Sequence, residues 1–182
     1  MRGRLSRTRY RHVLCVARTA EAFARAHDAS RSAARTAGIL HDIAREWTPA
    51  ALLEYAREHR LPVDDFERAA PLLLHAKVGA DIARREFGVT DPDTLAAIST
   101  HTVVQPSMTE LQKILFVADT VEPTRTYEGR AALAATALRS LDEALLGCVK
   151  ASIEYLAARN VPIAPQTLEV YNALVTRYGT TA

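Results

Sequence analysis

Cysteine, glycine and proline are scarce: 2, 7 and 8 of them among 182 residues. So few turn-formers beside so much Ala, Leu, Arg and Glu argue against a turn-rich β fold and for helices. Cys15 and Cys148 form no CxxC pair, which excludes a disulfide framework and a thiolate metal site. Each sits among apolar residues at helical spacing, as a buried free thiol would. No apolar run approaches the roughly 20 residues of a membrane span, and no secretory signal is present. The expectation is a cytoplasmic protein with no membrane partner. A net charge of +2 is too small for a nucleic-acid-binding polycation. Arginines do cluster early, at Arg2, Arg4, Arg7, Arg9 and Arg11. A transit peptide or a polyanion-facing patch would use such a run. Because it flows directly into an amphipathic pattern, we read it as the solvated basic face of a helix start.

What is present is helical periodicity. Val13, Val16, Ala17, Ala20, Phe23 and Ala24 recur at intervals of three and four, predicting a helix from Arg4 to His27. Ser30 caps a second pattern that runs to Arg45. Thr48-Pro49 opens a third to His59, with proline at the first helical position. Further helical segments are read around 65–70, from Pro71 to Phe87, from Asp91-Pro92 through His101, and from Thr109 to Ala118. Gly129–Leu138, Leu141–Asn160 and Pro165–Tyr178 follow. No strand-like alternation, repeat or long linker interrupts the chain. The fold expected is all-α: a single domain over residues 1–182, an orthogonal bundle of about seven to nine helices.

Histidines carry the functional signal. His27 and His59 lie at charged helix ends and read as solvent-facing. His12, His41, His75 and His101 lie in apolar stretches, where each imidazole needs partners for both ring nitrogens. Asp42 and Asp119 share such surroundings, and a buried carboxylate needs a counter-charge. A common divalent cation would satisfy all six. Neighbours on a helix point about 100° apart, so His41 and Asp42 can reach one ion only at that edge of their helix. The other ligands must come from other helices. With no cysteine in the set, iron, manganese or zinc fits best. The alternative is a purely structural bundle whose histidines satisfy one another.

The order His12, His41-Asp42, His75, His101, Asp119 resembles the HD superfamily, and the likeness extends further. Arg9-Tyr10-Arg11-His12-Val13, Leu40-His41-Asp42-Ile43-Ala44-Arg45-Glu46 and Leu74-His75-Ala76-Lys77-Val78-Gly79-Ala80 are similar to segments of the YqeK family. So are His101-Thr102, Lys113-Ile114-Leu115-Phe116-Val117-Ala118-Asp119, Glu122-Pro123-Thr124-Arg125 and Pro165-Gln166-Thr167-Leu168-Glu169. The resemblance spans nearly the whole chain. It implies an HD-domain hydrolase that splits diadenosine tetraphosphate symmetrically into two ADP. It further implies that His12, His41, Asp42 and Asp119 hold an iron-type metal. Arg9, Arg45, His75, His101 and Arg125 would face the phosphates, and the 163–168 loop, through Ile163, Pro165 and Thr167, would close over the nucleotide. His75 and His101 could instead capture a second ion. A homodimer is compatible with the family.

The chain departs from the family pattern at Ala76-Lys77, where glycine-proline is usual. Val103-Val104-Gln105 replaces a stretch with Gly and Arg, and Ala164 stands for a histidine. The metal set is intact while the substrate-facing set is altered. Alternatives are an HD-type phosphomonoesterase on deoxynucleotides, a guanosine-alarmone hydrolase, and a nucleotide-binding module without turnover. Alarmone hydrolases carry Glu-Asp where this chain has Arg45-Glu46, which ranks that reading low.

Several residues have a structural reading beside the functional one. Arg45 can pair with Asp42 at i,i+3, and Arg125 with Glu122. Lys113 reads as a surface charge. Lys77 is open between the two. Trp47 reads as a packing anchor.

Overall fold

The computed structural model describes residues 3–179. Among them are ten α-helices and no strand: α1 (Arg7–Ala26), α2 (Arg31–Leu40), α3 (Pro49–Glu58), α4 (Asp65–Ala69), α5 (His75–Phe87), α6 (Pro92–Thr100), α7 (Glu110–Val121), α8 (Arg130–Ala137), α9 (Leu141–Ala157) and α10 (Pro165–Tyr178). The count exceeds the expected range because the five-residue α4 stands as an element of its own. Pro71–Leu74 forms a 3-10 turn that runs into α5.

Side-chain caps set most boundaries. Ser6 accepts from the Arg9 amide at 3.2 Å, so α1 begins at Arg7 and not at Arg4. Ser30, Thr48, Asp91 and Ser140 cap α2, α3, α6 and α9 in the same way. Asp64 with Glu67 and Thr109 with Gln112 form reciprocal capping boxes on α4 and α7. Gly88 closes α5 in the left-handed region, φ 69°, where a Cβ would be strained.

Two corrections bear on the site. α2 stops at Leu40 and not at Arg45. Beyond it the amides of Ile43, Arg45 and Trp47 bond back only three residues, to Leu40, Asp42 and Ala44. The tighter turns re-aim His41 and Asp42. α7 runs two residues past Asp119, to Val121.

The helices enclose two apolar clusters. The larger draws Val16, Ala20 and Phe23 of α1, Ala34 and Leu40 of α2, Ile98 of α6, Ile114 to Ala118 of α7 and Leu145 to Val149 of α9. The smaller comprises Ile43, Ala44, Leu52, Leu74, Val78 and Ile82, covered by Trp47 and Tyr55. Trp47 is therefore the packing anchor expected of it. Leu40 belongs to one cluster and Ile43 to the other, so His41 and Asp42 occupy the seam. Close packing of α1 on α2 depends on Gly38, because a Cβ there would meet Ala17 Cα at 2.5 Å.

Outside the seam, two histidines depart from expectation. His27 places Nε2 2.6 Å from the Ala137 carbonyl. His59 stacks on Tyr55, with ring centroids 4.0 Å apart. Both are half-buried rather than solvent-facing. Cys148 is buried as expected, whereas Cys15 is only partly so. Among the described residues, no helix is long and apolar enough to cross a membrane. Arg2 of the basic run lies outside the described residues.

Candidate metal centre

Three helix ends and the faces of two further helices deliver the site. His12 comes from the second turn of α1, His41 and Asp42 from the end of α2, His75 from the start of α5, His101 from the end of α6, and Asp119 from α7. His12, His41, Asp42, His75 and His101 are all buried. The fold brings the six expected residues into one cluster.

Each ring is anchored through Nδ1. The Gly38 carbonyl accepts from His41 at 2.8 Å, Ile98 from His101 at 2.7 Å, and Leu72 from His75. A carbonyl can only accept, so Nδ1 carries the proton and Nε2 presents a lone pair. For His12 the acceptor is the carboxylate of Glu122, at 3.0 Å. Such backing orients a ring and raises its basicity toward a cation.

The four Nε2 atoms converge on two carboxylates. Asp42 Oδ2 lies 3.5 Å from His12 and 3.4 Å from His41. Asp119 Oδ1 lies 3.0 Å from His12 and 3.9 Å from His41. The other oxygen of Asp42, Oδ1, lies 3.3 Å from His75 and 3.7 Å from His101. The ring centroids run in a row, His12 to His41 5.4 Å, His41 to His101 4.9 Å and His101 to His75 5.1 Å.

Chemistry favours a cation at this point. Nε2 of His12 and of His41 are buried yet make no hydrogen bond of usable geometry. A lone pair aimed at a carboxylate oxygen repels it unless positive charge lies between them. His75 and His101 face each other Nε2 to Nε2 at 3.2 Å, which sets the same requirement. Two groups have ligand spacing: His12, His41 and Asp42, and Asp42, His75 and His101. Asp42 is common to both.

Electrostatics agree. Burial alone would raise the pKa of Asp42, but the histidines facing it, His41 foremost and then His101 and His75, hold it far below the carboxylate range. Asp119 is likewise depressed, as His12, His41 and Arg125 overcome its burial. His12 and His41 are raised despite burial, by Asp119 and by Asp42 respectively. His75 is lowered, by burial and by the neighbouring His101.

Arginines rim the cluster. Arg9 Nη1 grips Asp42 Oδ2 at 2.6 Å, and Arg125 Nη2 grips Asp119 Oδ1 at 2.6 Å. Arg125 also donates to the Asp119 carbonyl at 3.0 Å and stands 3.9 Å from Glu122, so its main partner is Asp119. Among the described residues, Arg45 forms no ion pair with Asp42; it is half-buried. Glu122 is fully buried, although the sequence offers it only as a pair for Arg125. The signal available was a carboxylate directly after the apolar face of α7.

Two clefts bear on the cluster, and the first opens on it through His12. The first, about 580 Å³, is lined by Arg7, Thr8, Arg9, Arg11, His12, Glu122, Thr124 and Arg125. The second, about 260 Å³, is lined by Leu73 and Lys77, which flank His75 in sequence, and by Ser99, Thr100 and Thr102, which flank His101. Lys77, Val103, Gln105 and Ala164, four of the positions that depart from the family pattern, line this second cleft together. Lys77 is occupied by Glu67 Oε2 at 2.7 Å and the Pro62 carbonyl at 3.0 Å. Of the C-terminal loop, Ala164 and Gln166 reach the second cleft; Ile163 is half-buried, Pro165 exposed and Thr167 buried. Lys113 is paired with Asp142 at 2.6 Å.

Residues 9–124 match the HD domain family. The chain belongs to the HD-domain family. It is 36% identical over 171 residues to a symmetrical bis(5'-nucleosyl)-tetraphosphatase of Halalkalibacterium halodurans, covering 94% of this chain and 91% of that one. A Bacillus subtilis protein of the same name is 34% identical over 175 residues, covering 96% and 94%. A crystal structure of a predicted HD superfamily hydrolase involved in NAD metabolism, from Clostridium acetobutylicum, superposes with a TM-score of 0.91 at 31% identity. That match covers 96% of this chain and 93% of the other. As an HD-domain protein, this chain carries its His-Asp doublet at His41-Asp42 in the seam between the two apolar clusters.

Proposed function

We propose that this chain is a metal-dependent hydrolase, one HD domain over residues 1–182, that cuts diadenosine tetraphosphate symmetrically into two ADP. The observation carrying the reading is the convergence of four Nε2 lone pairs on Asp42 and Asp119 beside an arginine-lined cleft. The names of the full-length relatives supply the substrate. A cytoplasmic setting and a homodimer are parts of the same proposal.

His12, His41, Asp42 and Asp119 would hold a divalent transition metal, iron by preference, with manganese or zinc as alternatives. Such an ion supplies charge neutralisation and lowers the pKa of water from about 15.7 to roughly 7–9. The residues do the rest. Asp42 and Asp119 orient the attacking water toward an inner phosphorus. Arg9, Arg45 and Arg125 hold the phosphoryl oxygens by charge-assisted contacts. The P–O bond to the outgoing half breaks as the new P–O bond forms. His75 and His101 share one positive charge between their facing Nε2 atoms: a second ion, or a proton delivered to the leaving oxygen. Ile163, Pro165 and Thr167 shape the loop over the nucleoside.

Product analysis after incubation with diadenosine tetraphosphate tests the proposal. ADP alone is the expected product. AMP with ATP would mean an asymmetric cut and would refute the positioning scheme. Phosphate release from deoxynucleoside monophosphates, with the tetraphosphate left whole, would move the assignment to an HD-type nucleotidase.

A further inference from the structure

The two clefts differ in charge. The first holds Arg7, Arg9, Arg11 and Arg125 against Glu122 alone. The second holds Asp64 and Glu67 against Lys77, which Glu67 already neutralises, and otherwise presents hydroxyls, amides and the apolar Phe66, Leu73, Val103 and Ala164. Phosphates therefore favour the first cleft, and a nucleoside, with its neutral base and sugar, suits the second. A tetraphosphate cut at its centre leaves two phosphates on each product. With the reacting phosphorus over the aspartates, one diphosphate must extend past His12 into the arginine cleft.

Arg7 and Arg11 are the cations there that the metal-facing carboxylates do not occupy. They stand one turn apart on the same face of α1 as Thr8 and His12. Both are exposed and, among the described residues, neither makes an ion pair, whereas Arg9 and Arg125 are committed to Asp42 and Asp119. The cleft's volume is that of a nucleotide-sized site.

We propose that Arg7 and Arg11 form the binding site for the second nucleoside diphosphate of the substrate, so that the basic start of α1 selects substrates with two phosphates beyond the scissile bond. This rests on the reading of the reaction given above, and it assigns a ligand to a run of arginines that the sequence suggests is merely solvated. Because the two side chains form no ion pair or hydrogen bond among the described residues, their removal leaves packing and the histidine cluster untouched.

The test uses metal-loaded protein and the double variant Arg7→Gln/Arg11→Gln. For diadenosine tetraphosphate, kcat/KM should fall by about tenfold or more, as expected for the loss of charge-assisted phosphate contacts. ADP titration by calorimetry should read two sites per wild-type chain and one in the variant. Metal content and the helical circular dichroism signal should not change. Arg11→Lys should recover part of the loss. A double variant with wild-type kcat/KM, or one that still takes up ADP as the wild type does, overturns the proposal while leaving the reaction assignment intact. Failure of the wild type to cleave the tetraphosphate at all would instead remove the reaction assignment itself.

Discussion

Glu122 holds Nδ1 of His12 at 3.0 Å from a fully buried position, and so aims the opposite nitrogen of that ring at Asp119, 3.0 Å away. Its own charge is secured despite burial by the Thr124 hydroxyl and amide and by His12, which keep its pKa low. Replacing it with glutamine keeps the shape but weakens the grip on the ring. We expect Glu122→Gln to lower metal affinity or turnover about 10- to 100-fold, as for other residues that orient a ligand. A metal titration followed spectroscopically, run beside the rate measurement, checks this; unchanged affinity and rate would make Glu122 a packing residue only.

Asp42 uses both carboxylate oxygens, one toward His12 and His41 and the other toward His75 and His101. Removing it separates the two halves of the cluster. Asp42→Ala is expected to lose metal retention and turnover together. Elemental analysis of the purified variant decides the matter, since retention of a stoichiometric metal with normal turnover contradicts the assignment.

Gly38 sits where α1 and α2 touch, and a methyl there meets backbone atoms, Ala17 Cα at 2.5 Å and Ala17 N at 2.8 Å. Backbone cannot rotate away as a side chain could. Gly38→Ala should therefore cost about 1–3 kcal/mol or more through forced separation of the helices. That corresponds to a drop of roughly 2–4 °C in Tm per kcal/mol for a chain of this size. Because the Gly38 carbonyl also fixes His41, weaker metal binding should accompany the lower Tm. A variant with unaltered thermal melting would show that α1 can shift without penalty.

Asp81 forms a second ionic cluster away from the metal centre. It accepts from Arg84 at 2.6 Å, Arg85 at 2.7 Å and Tyr55 at 3.1 Å. Burial alone would raise its pKa, but the two arginines and the tyrosine lower it, while the Tyr55 phenol is pushed up to about 12 by its own burial and by Asp81. A depressed carboxylate contributes stability at pH values above its unfolded pKa, about 3.9, and loses it as pH falls through the lower, folded value. Wild type should thus lose stability below about pH 4 more steeply than Asp81→Asn. At neutral pH the variant should be less stable by about 2 kcal/mol, the hydrogen bonds to a charged group being lost to half-exposed arginines. Urea melts at neutral and acid pH measure both quantities. Equal acid sensitivity in the two proteins would assign the loss to another group.

Much of the molecule was legible along the chain. Caps such as Ser30, Thr48-Pro49 and Asp91-Pro92 mark helix starts because they act through neighbours three residues away, and such local chemistry is written in order. Boundaries set by tertiary contacts were not. α2 was read through to Arg45 because Ile43 and Ala44 continue its apolar rhythm, yet they turn into a different cluster from Leu40. His27 and His59 looked solvated because their neighbours are charged; the surfaces that half-cover them, Ala137 and Tyr55, come from other elements or other turns. Arg45 and Arg125 looked able to pair locally, and Arg125 in fact reaches Asp119.

The sequence by itself determined the helical class and singled out the histidines and aspartates that the fold gathers into one cluster. A histidine or aspartate amid apolar neighbours carries a desolvation cost that demands a partner, and that demand is readable one residue at a time. Only the tertiary structure decided which oxygen of Asp42 serves which histidines, that Glu122 backs His12, and that Arg7 and Arg11 line a cleft beside His12. Those facts depend on distances between helices far apart in the chain, which are set by packing across the seam and not by any local spacing.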